Sequence, residues 1–373
     1  MSPDVIPPEA LFRLLGEEGL SPPRILTLAI TGVCNLHCRH CWVEGGAEAS
    51  AAHVATANLR RLLREFAELG GAGVRLTGGE PLCHPDWFSL LRCARDLDFP
   101  QLALQTNAEL LRNDTAEALA SLDFPGLSIQ VSLDGATAAS HDLVRGTGAF
   151  AGALAGLKRL VAVGLAPRLS LFLTEMRHNF DEIPALLELA EELGIPELTS
   201  GALVRCGRAA RDERIAPPTA TQYLGLLDRY DTDEAFRNRY RARGKIAALE
   251  WRGESRARTQ DCSFVENPYL SAAGTLYPCL LCHADSHAAT EVFAKPLAAA
   301  FAEGARPWSA LRQLSRERAA SIPECRACAH RASCGAGCMG RAWGGCGDFF
   351  VPEDRCALRR AVYARKKTNA DPG

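Results

Sequence analysis

The sequence predicts an α/β protein built from six strand–helix units and followed by a small, cysteine-rich region. Three observations predict it. Short β-type runs alternate with amphipathic helical patterns from residue 25 to about residue 203. That rhythm stops after Cys206, and from Cys262 onward cysteines crowd into loop-like sequence.

The strand runs lie at 25–30, 74–77, 102–106, 129–133, 169–173 and, less regularly, 197–203. Helical spacing falls between them: Leu59, Leu62, Leu63 and Phe66; then Phe150, Leu154, Leu157, Leu160 and Val161; then Ile183, Leu186, Leu187, Ala190 and Leu193, with Gly194 placed to end the helix. Strand–helix units in succession imply a parallel sheet with helices outside it, either curved into a barrel or open and doubly wound. Residues 211–220, with Pro217 and Pro218, read as a connection, and 219–249 as one helical stretch carrying Tyr223, Leu226, Leu227, Tyr230 and Phe236. Beyond Cys262 a helical pause is expected only around 307–319, in a region small and weakly apolar enough that bound metal would supply much of its stability. The expected divisions are an N-terminal segment at 1–24, the strand–helix domain at 25–206, a connecting helical region at 207–255 and the cysteine-rich domain at 256–373.

Of 373 residues, 47% are hydrophobic and 23% charged, with a formal net charge of −2. Those values suit a folded protein and point to no nucleic-acid or membrane-surface partner. No secretory signal opens the chain and no apolar run spans 18 residues, so a cytoplasmic location is expected. Disulfides are rare there, and the fifteen cysteines call for metal instead.

Directly after the first strand run comes Cys34-Asn-Leu-His-Cys38-Arg-His-Cys41. Three thiolates on one tight loop can grip three irons of a cubane and leave the fourth open, the arrangement of a catalytic metal site. A structural zinc site completed by His37, His40 or Cys83 is the alternative on spacing alone. The second run ends in Thr77-Gly78-Gly79-Glu80-Pro81, the third in Gln105-Thr106-Asn107, and the fourth in Ser132-Leu133-Asp134-Gly135. Polar residues therefore collect at successive strand ends, where α/β sites are built.

The cysteine loop followed by Gly-Gly-Glu resembles the radical S-adenosylmethionine superfamily over residues 25–203. The resemblance implies a partial (β/α)6 TIM-like barrel followed by a small cysteine-rich iron–sulfur domain. It implies that Cys34, Cys38 and Cys41 hold a catalytic 4Fe–4S cluster, whose open iron binds S-adenosyl-L-methionine. It places His40 near the adenine; Gly78, Gly79 and Glu80 on the methionine ammonium; Ser132 with Asn107 at the ribose; and Arg145 near the carboxylate, with a surface salt bridge as the plainer reading of Arg145.

The C-terminal region holds Cys262, Gly274-x4-Cys279, Cys325-x2-Cys328-x5-Cys334-x3-Cys338 and Cys356. A zinc ribbon is the unaided alternative, although seven cysteines do not divide into four-ligand zinc sites. Order and spacing are similar to the SPASM extension of the same superfamily. That similarity implies two auxiliary 4Fe–4S clusters: Cys325, Cys328, Cys334 and Cys356 on one, Cys262, Cys279 and Cys338 on the other. The latter lacks a fourth family ligand, and Cys282, three residues past Cys279, is the candidate to supply it.

The family implies radical chemistry on a peptide or protein side chain, an electron donor such as flavodoxin or ferredoxin, and an auxiliary cluster that accepts an electron. With 24 residues ahead of the first strand run, leader-peptide recognition is expected to need a separate protein. Leu280 stands where sulfatase-maturating members carry an Asp, which argues against that activity. Oxidation or removal of a tetrapyrrole side chain is the rival enzymatic expectation. An iron–sulfur carrier or redox sensor is the non-enzymatic one, and the intact strand-end residues count against it.

Overall fold

Each of the six expected runs forms a strand: β1 (Ile25–Ala29), β2 (Gly73–Thr77), β3 (Gln101–Thr106), β4 (Leu127–Ser132), β5 (Leu169–Glu175) and β6 (Glu197–Ala202). The computed structural model describes residues 6–46, 52–253 and 262–368; the expected boundary at 255–256 lies outside them. The six strands pair in parallel and in sequential order. A doubly wound sheet reverses its strand order at a switch point. Here no reversal occurs, so right-handed crossovers carry the helices to one face, and the other face curves around a lumen as a partial barrel.

Alternation along the strands sorts the two faces. In β5, Leu169, Leu171 and Leu173 are buried while Ser170, Phe172 and Thr174 are half-buried. The apolar set packs under α2 (Thr56–Glu68), α3 (Trp87–Asp96), α4 (Asn113–Ser121), α5 (Ala138–Arg145), α6 (Ala149–Ala162) and α7 (Ile183–Glu192), through side chains such as Leu59, Phe66, Leu91, Leu157 and Leu187. Gly194 takes a left-handed φ of 67° directly after α7, as its position predicts. A further helix, α1 (Pro8–Glu17), lies in the N-terminal segment and buries Leu11 and Leu15.

The structure corrects three expectations beyond the barrel. Residues 219–249 are not one helix. After the short α8 (Arg208–Arg211) the chain forms α9 (Ala220–Thr232) and α10 (Glu234–Arg243), then β7 (Gly244–Lys245) on the edge of β6, then α11 (Ala247–Gly253). The break is local chemistry: Asp233 leaves helical geometry, and its carboxylate accepts the Phe236 N–H, capping α10. The pause around 307–319 is part of α12 (Leu297–Ser321), which runs through Pro307.

The C-terminal region is also more apolar than expected. Leu297, Phe301, Trp308, Leu311 and Val362 join the barrel's own core cluster. Two short strands, β8 (Tyr269–Leu270) and β9 (Leu276–Tyr277), extend the sheet beyond β1, with β8 parallel to it. The cysteine-bearing loops hang on this extension and on α13 (Pro323–Arg326), α14 (Arg331–Cys334), α15 (Met339–Cys346) and α16 (Cys356–Thr368). Among the described residues no helix is long and apolar enough to cross a membrane.

Candidate active site

At the carboxyl ends of β1–β5 a pocket is lined by Cys34, Cys38, Cys41, His40, Gly78, Gly79, Glu80, Asn107, Ser132 and Arg145, so every residue proposed for the cluster loop and its cofactor meets in one place. The glycines explain how the loop gets there. Gly78 has φ +152°, and a Cβ on it would stand 2.3 Å from the Thr31 carbonyl oxygen; one on Gly79 would stand 2.4 Å from that of Val33. The Gly79 and Glu80 amides donate to those same two carbonyls. Only glycine admits the backbone after β1 this close, which sets the cysteine loop over the end of β2.

Glu80 is 1% exposed. Its carboxylate accepts from the Thr106 hydroxyl at 2.7 Å, the Asn107 amide at 2.8 Å and the Leu82 amide at 3.2 Å. Burial pushes its carboxyl up to about 7 against those hydrogen bonds. No salt bridge among the described residues includes it, so the pocket presents a buried acid in want of a cation. The Asn107 side chain binds inward: its amide donates to Asn35 in the cysteine loop at 2.9 Å, and its oxygen accepts from the Glu109 N–H.

Asp134 ties the opposite wall together, a role that its place in the strand-end run Ser132-Leu133-Asp134-Gly135 does not reveal. Fully buried, it accepts from Arg145 Nε at 2.7 Å and the Thr174 amide at 2.7 Å, and lies 3.2 Å from His40 Nε2. Arg145 is thus in a buried ion pair, not a surface one, and its two terminal nitrogens have no protein partner among the described residues. Burial lowers His40 to about 4, beyond what Asp134 offsets, since Arg145 already balances that charge. A neutral ring that donates from Nε2 leaves Nδ1 an acceptor, and Nδ1 is buried without a partner.

Arg208, in α8, was also missed, because nothing in its sequence neighbourhood forms a motif. Its Nε donates to the Cys38 carbonyl at 2.8 Å and its NH2 to that of Gly45 at 2.7 Å, clamping both flanks of the cysteine loop. Burial pushes the Cys34 thiol up to about 12 and Cys38 up to about 11, so neither would ionise without a compensating metal.

Eight of the nine C-terminal cysteines, all but the exposed Cys346, gather into two groups of four. Cys325, Cys328, Cys334 and Cys356 line one small cavity. Burial, then the neighbouring thiolates of Cys279, Cys338 and Cys262, push the Cys282 thiol up, so Cys282 sits with those three. Gly340 allows it: a Cβ there would lie 2.5 Å from the Leu281 carbonyl oxygen, so α15 packs directly on the Cys279–Cys282 turn and brings Cys338 in. Among the described residues no three His, Cys, Asp or Glu groups converge tightly enough for one metal ion.

The second group abuts the first site. Leu280 lines the barrel pocket with Trp42 and Tyr269. The His283 ring stacks on Tyr277 at 4.4 Å and meets Trp42 edge-on at 4.6 Å, so an aromatic block joins the loop after Cys41 to the loop after Cys282.

An open-sided α/β barrel with three loop cysteines and an unpaired buried acid at its strand ends defines a redox-cofactor enzyme. The Radical SAM superfamily profile matches residues 28–190. Mycofactocin maturase MftC of Mycobacterium ulcerans is 30% identical over 333 residues, covering 87% of this chain and 85% of that one. The AdoMet-dependent heme synthase of Methanosarcina barkeri is 27% identical over 353 residues, covering 90% and 97%. Native anSMEcpe with bound AdoMet shares the fold at a TM-score of 0.71 and 17% identity, over 93% of this chain and 99% of that one. SuiB of Streptococcus suis does so at 0.68 and 18%, over 92% and 80%. The chain belongs to the radical S-adenosylmethionine superfamily and carries a C-terminal SPASM extension. It is an enzyme of that superfamily, whose cofactors are a 4Fe–4S cluster and S-adenosyl-L-methionine.

Proposed function

We propose that this enzyme oxidises or crosslinks a side chain of a ribosomally made peptide or protein, with an auxiliary cluster beside the pocket as electron acceptor. The observation that carries the reading is Leu280: flanked by Cys279 and near Cys282, it lines the same pocket as Cys34, Cys38 and Cys41. An electron sink that close to the reacting substrate suits a net oxidation. The similarity to mycofactocin maturase MftC supports a peptide as the substrate.

The residues fit the cofactor. Cys34, Cys38 and Cys41 would hold three irons. The Glu80 carboxylate supplies the anion for an ammonium, the terminal nitrogens of Arg145 suit a carboxylate, and the His40 Nδ1 acceptor suits an exocyclic amine. Ser132 offers a hydroxyl at the remaining wall. When bound and reduced, the cluster and S-adenosylmethionine supply a 5′-deoxyadenosyl radical able to abstract a substrate hydrogen. The chain itself orients, through Asp134 and Arg208, and excludes water. Cys325, Cys328, Cys334 and Cys356 would hold a fully ligated auxiliary cluster, limited to electron transfer. Cys262, Cys279, Cys282 and Cys338 would hold the other, with Cys282 as the fourth ligand. A flavodoxin or ferredoxin donor, a separate leader-binding protein and a cytoplasmic setting complete the reading.

The test is anaerobic turnover. Reconstituted protein given dithionite should yield 5′-deoxyadenosine, and a peptide encoded beside its gene should lose mass in units of hydrogen. Similarity to a haem synthase keeps a tetrapyrrole as the second reading. Turnover of a haem-pathway carboxylate with no peptide change would establish it. Absence of 5′-deoxyadenosine from iron-replete protein would leave only a carrier or sensor.

A further inference from the structure

Below the cofactor pocket the barrel is not packed. In closed eight-stranded barrels, layers of branched apolar side chains fill the interior. Here a cavity of about 450 Å³ opens at the amino ends of the strands, lined by Arg75, Ala103, Ser128, Ser170, Gln105 and Gln130. Gln105 and Gln130 also line the upper pocket, and hydrogen-bond each other across β3 and β4 at 2.6 Å. They form a polar floor between the two chambers.

Arg75 is the odd residue in this wall. It points from β2 into the lumen, half-buried, and its one side-chain bond is a 3.3 Å contact from NH1 to the Thr27 hydroxyl across β1. No acidic side chain pairs with it among the described residues. Glu197, the one carboxylate among the described residues that line the cavity, is taken by Lys245 and the Thr199 hydroxyl. Arg168, at the rim, gives NH1 to the Pro125 carbonyl. A guanidinium drawn from water without a counter-charge is costly to keep. Its planar fork, with hydroxyls and amides around it, matches a planar oxyanion.

We infer that the lower lumen is a carboxylate-binding subsite, in which Arg75 receives a carboxylate carried by a substrate that parts the Gln105–Gln130 pair and places the group to be modified above it. Arg75 is the guanidinium turned into the lumen, and one such charge there calls for one negative charge, which favours a carboxylate over a phosphate dianion; Arg168, also without an acidic partner among the described residues, stays at the rim on the Pro125 carbonyl. On the peptide reading proposed above, that group is a terminal or acidic side-chain carboxylate. Binding at Arg75 is measured without turnover, so its failure and the failure of that reading are separable.

The experiment uses the reconstituted holoenzyme under anaerobic conditions and titrates it calorimetrically with butyrate, butyramide and inorganic phosphate. Butyrate should bind saturably, at least tenfold more tightly than butyramide and more tightly than phosphate. Arg75→Gln should weaken butyrate at least tenfold, and Arg75→Lys, which keeps the charge but not the fork, by less. Ala103→Leu, which fills the cavity and leaves the guanidinium in place, should abolish binding, and this arm holds even if Arg75→Gln fails to fold. Butyramide or phosphate binding as well as butyrate, or wild-type butyrate affinity in either Arg75→Gln or Ala103→Leu, would overturn the assignment.

Discussion

Among the described residues Glu80 makes three protein hydrogen bonds and no ion pair, so its charge is available to a ligand ammonium. Glu80→Gln keeps the shape and removes the charge. Loss of a charge-assisted contact of about 1.5–3 kcal/mol should raise the dissociation constant for S-adenosylmethionine roughly ten- to a hundredfold. Equilibrium binding to the anaerobic variant, with iron content at the wild-type level, measures it; unchanged affinity would remove Glu80 from the ammonium site. His141 gives a second residue-scale expectation. Its Nδ1 accepts the Asp134 amide at 3.0 Å, and burial lowers its folded value to about 4. As pH falls below about 6.5 the unfolded chain takes up a proton that the folded ring refuses, so stability is lost between pH 6.5 and 4. Between pH 7 and pH 5 this group alone should remove about 2 kcal/mol. The melting temperature of the wild type should therefore fall more steeply over that interval than that of His141→Gln, and equal slopes would refute it.

At the scale of elements, loops are set by close backbone approaches that only glycine permits. Gly340 seats α15 on the Cys279–Cys282 turn. Gly340→Val should push Cys338 outward and cost the protein about four irons by cluster arithmetic, while the group around Cys325 keeps its own. Iron analysis with Mössbauer spectroscopy distinguishes that from full iron retention, which would show that α15 does not position a ligand. The cysteine loop after β1 is a separate element. Cys34→Ala, Cys38→Ala and Cys41→Ala together should abolish 5′-deoxyadenosine formation and leave the C-terminal iron in place, because the two ligand sets share no cysteine. Yield above the no-enzyme control would dismiss the loop as the catalytic one. Cys282→Ala examines the fourth ligand: the variant's auxiliary EPR signal should change, and should then shift on addition of a small thiol. A variant signal like the wild type's, with the wild type itself responding to thiol, would mean the iron was open from the start.

Across the whole molecule, the barrel and much of the cysteine-bearing extension share one apolar cluster, while the residues around Tyr269 and Leu280 beside the pocket and those around Cys325 form smaller clusters of their own. Full occupancy predicts about twelve irons per chain. Stoichiometric zinc with little iron in anaerobic protein would contradict it. The strands and three of the six barrel helices, α2, α6 and α7, were legible from the amino acids alone, because period-2 and period-3.6 burial are local patterns: in β5, residues 169, 171 and 173 face helices whatever the rest of the chain does. The cysteine loop and Gly-Gly-Glu were legible for the same reason, since ligands on one short loop are fixed by spacing. The division into α9, α10 and β7 was not, because Gly244–Lys245 becomes a strand only by finding the edge of β6. Nor were Asp134 as the anchor of His40 and Arg145, or Arg208 as the clamp on Cys38. Those depend on side chains far apart in sequence meeting in a buried space, where an unpaired charge or polar atom must find a partner. Local sequence determined which elements form and which chemistry they carry; tertiary packing alone decided which of those groups are left without a protein partner and so face a ligand.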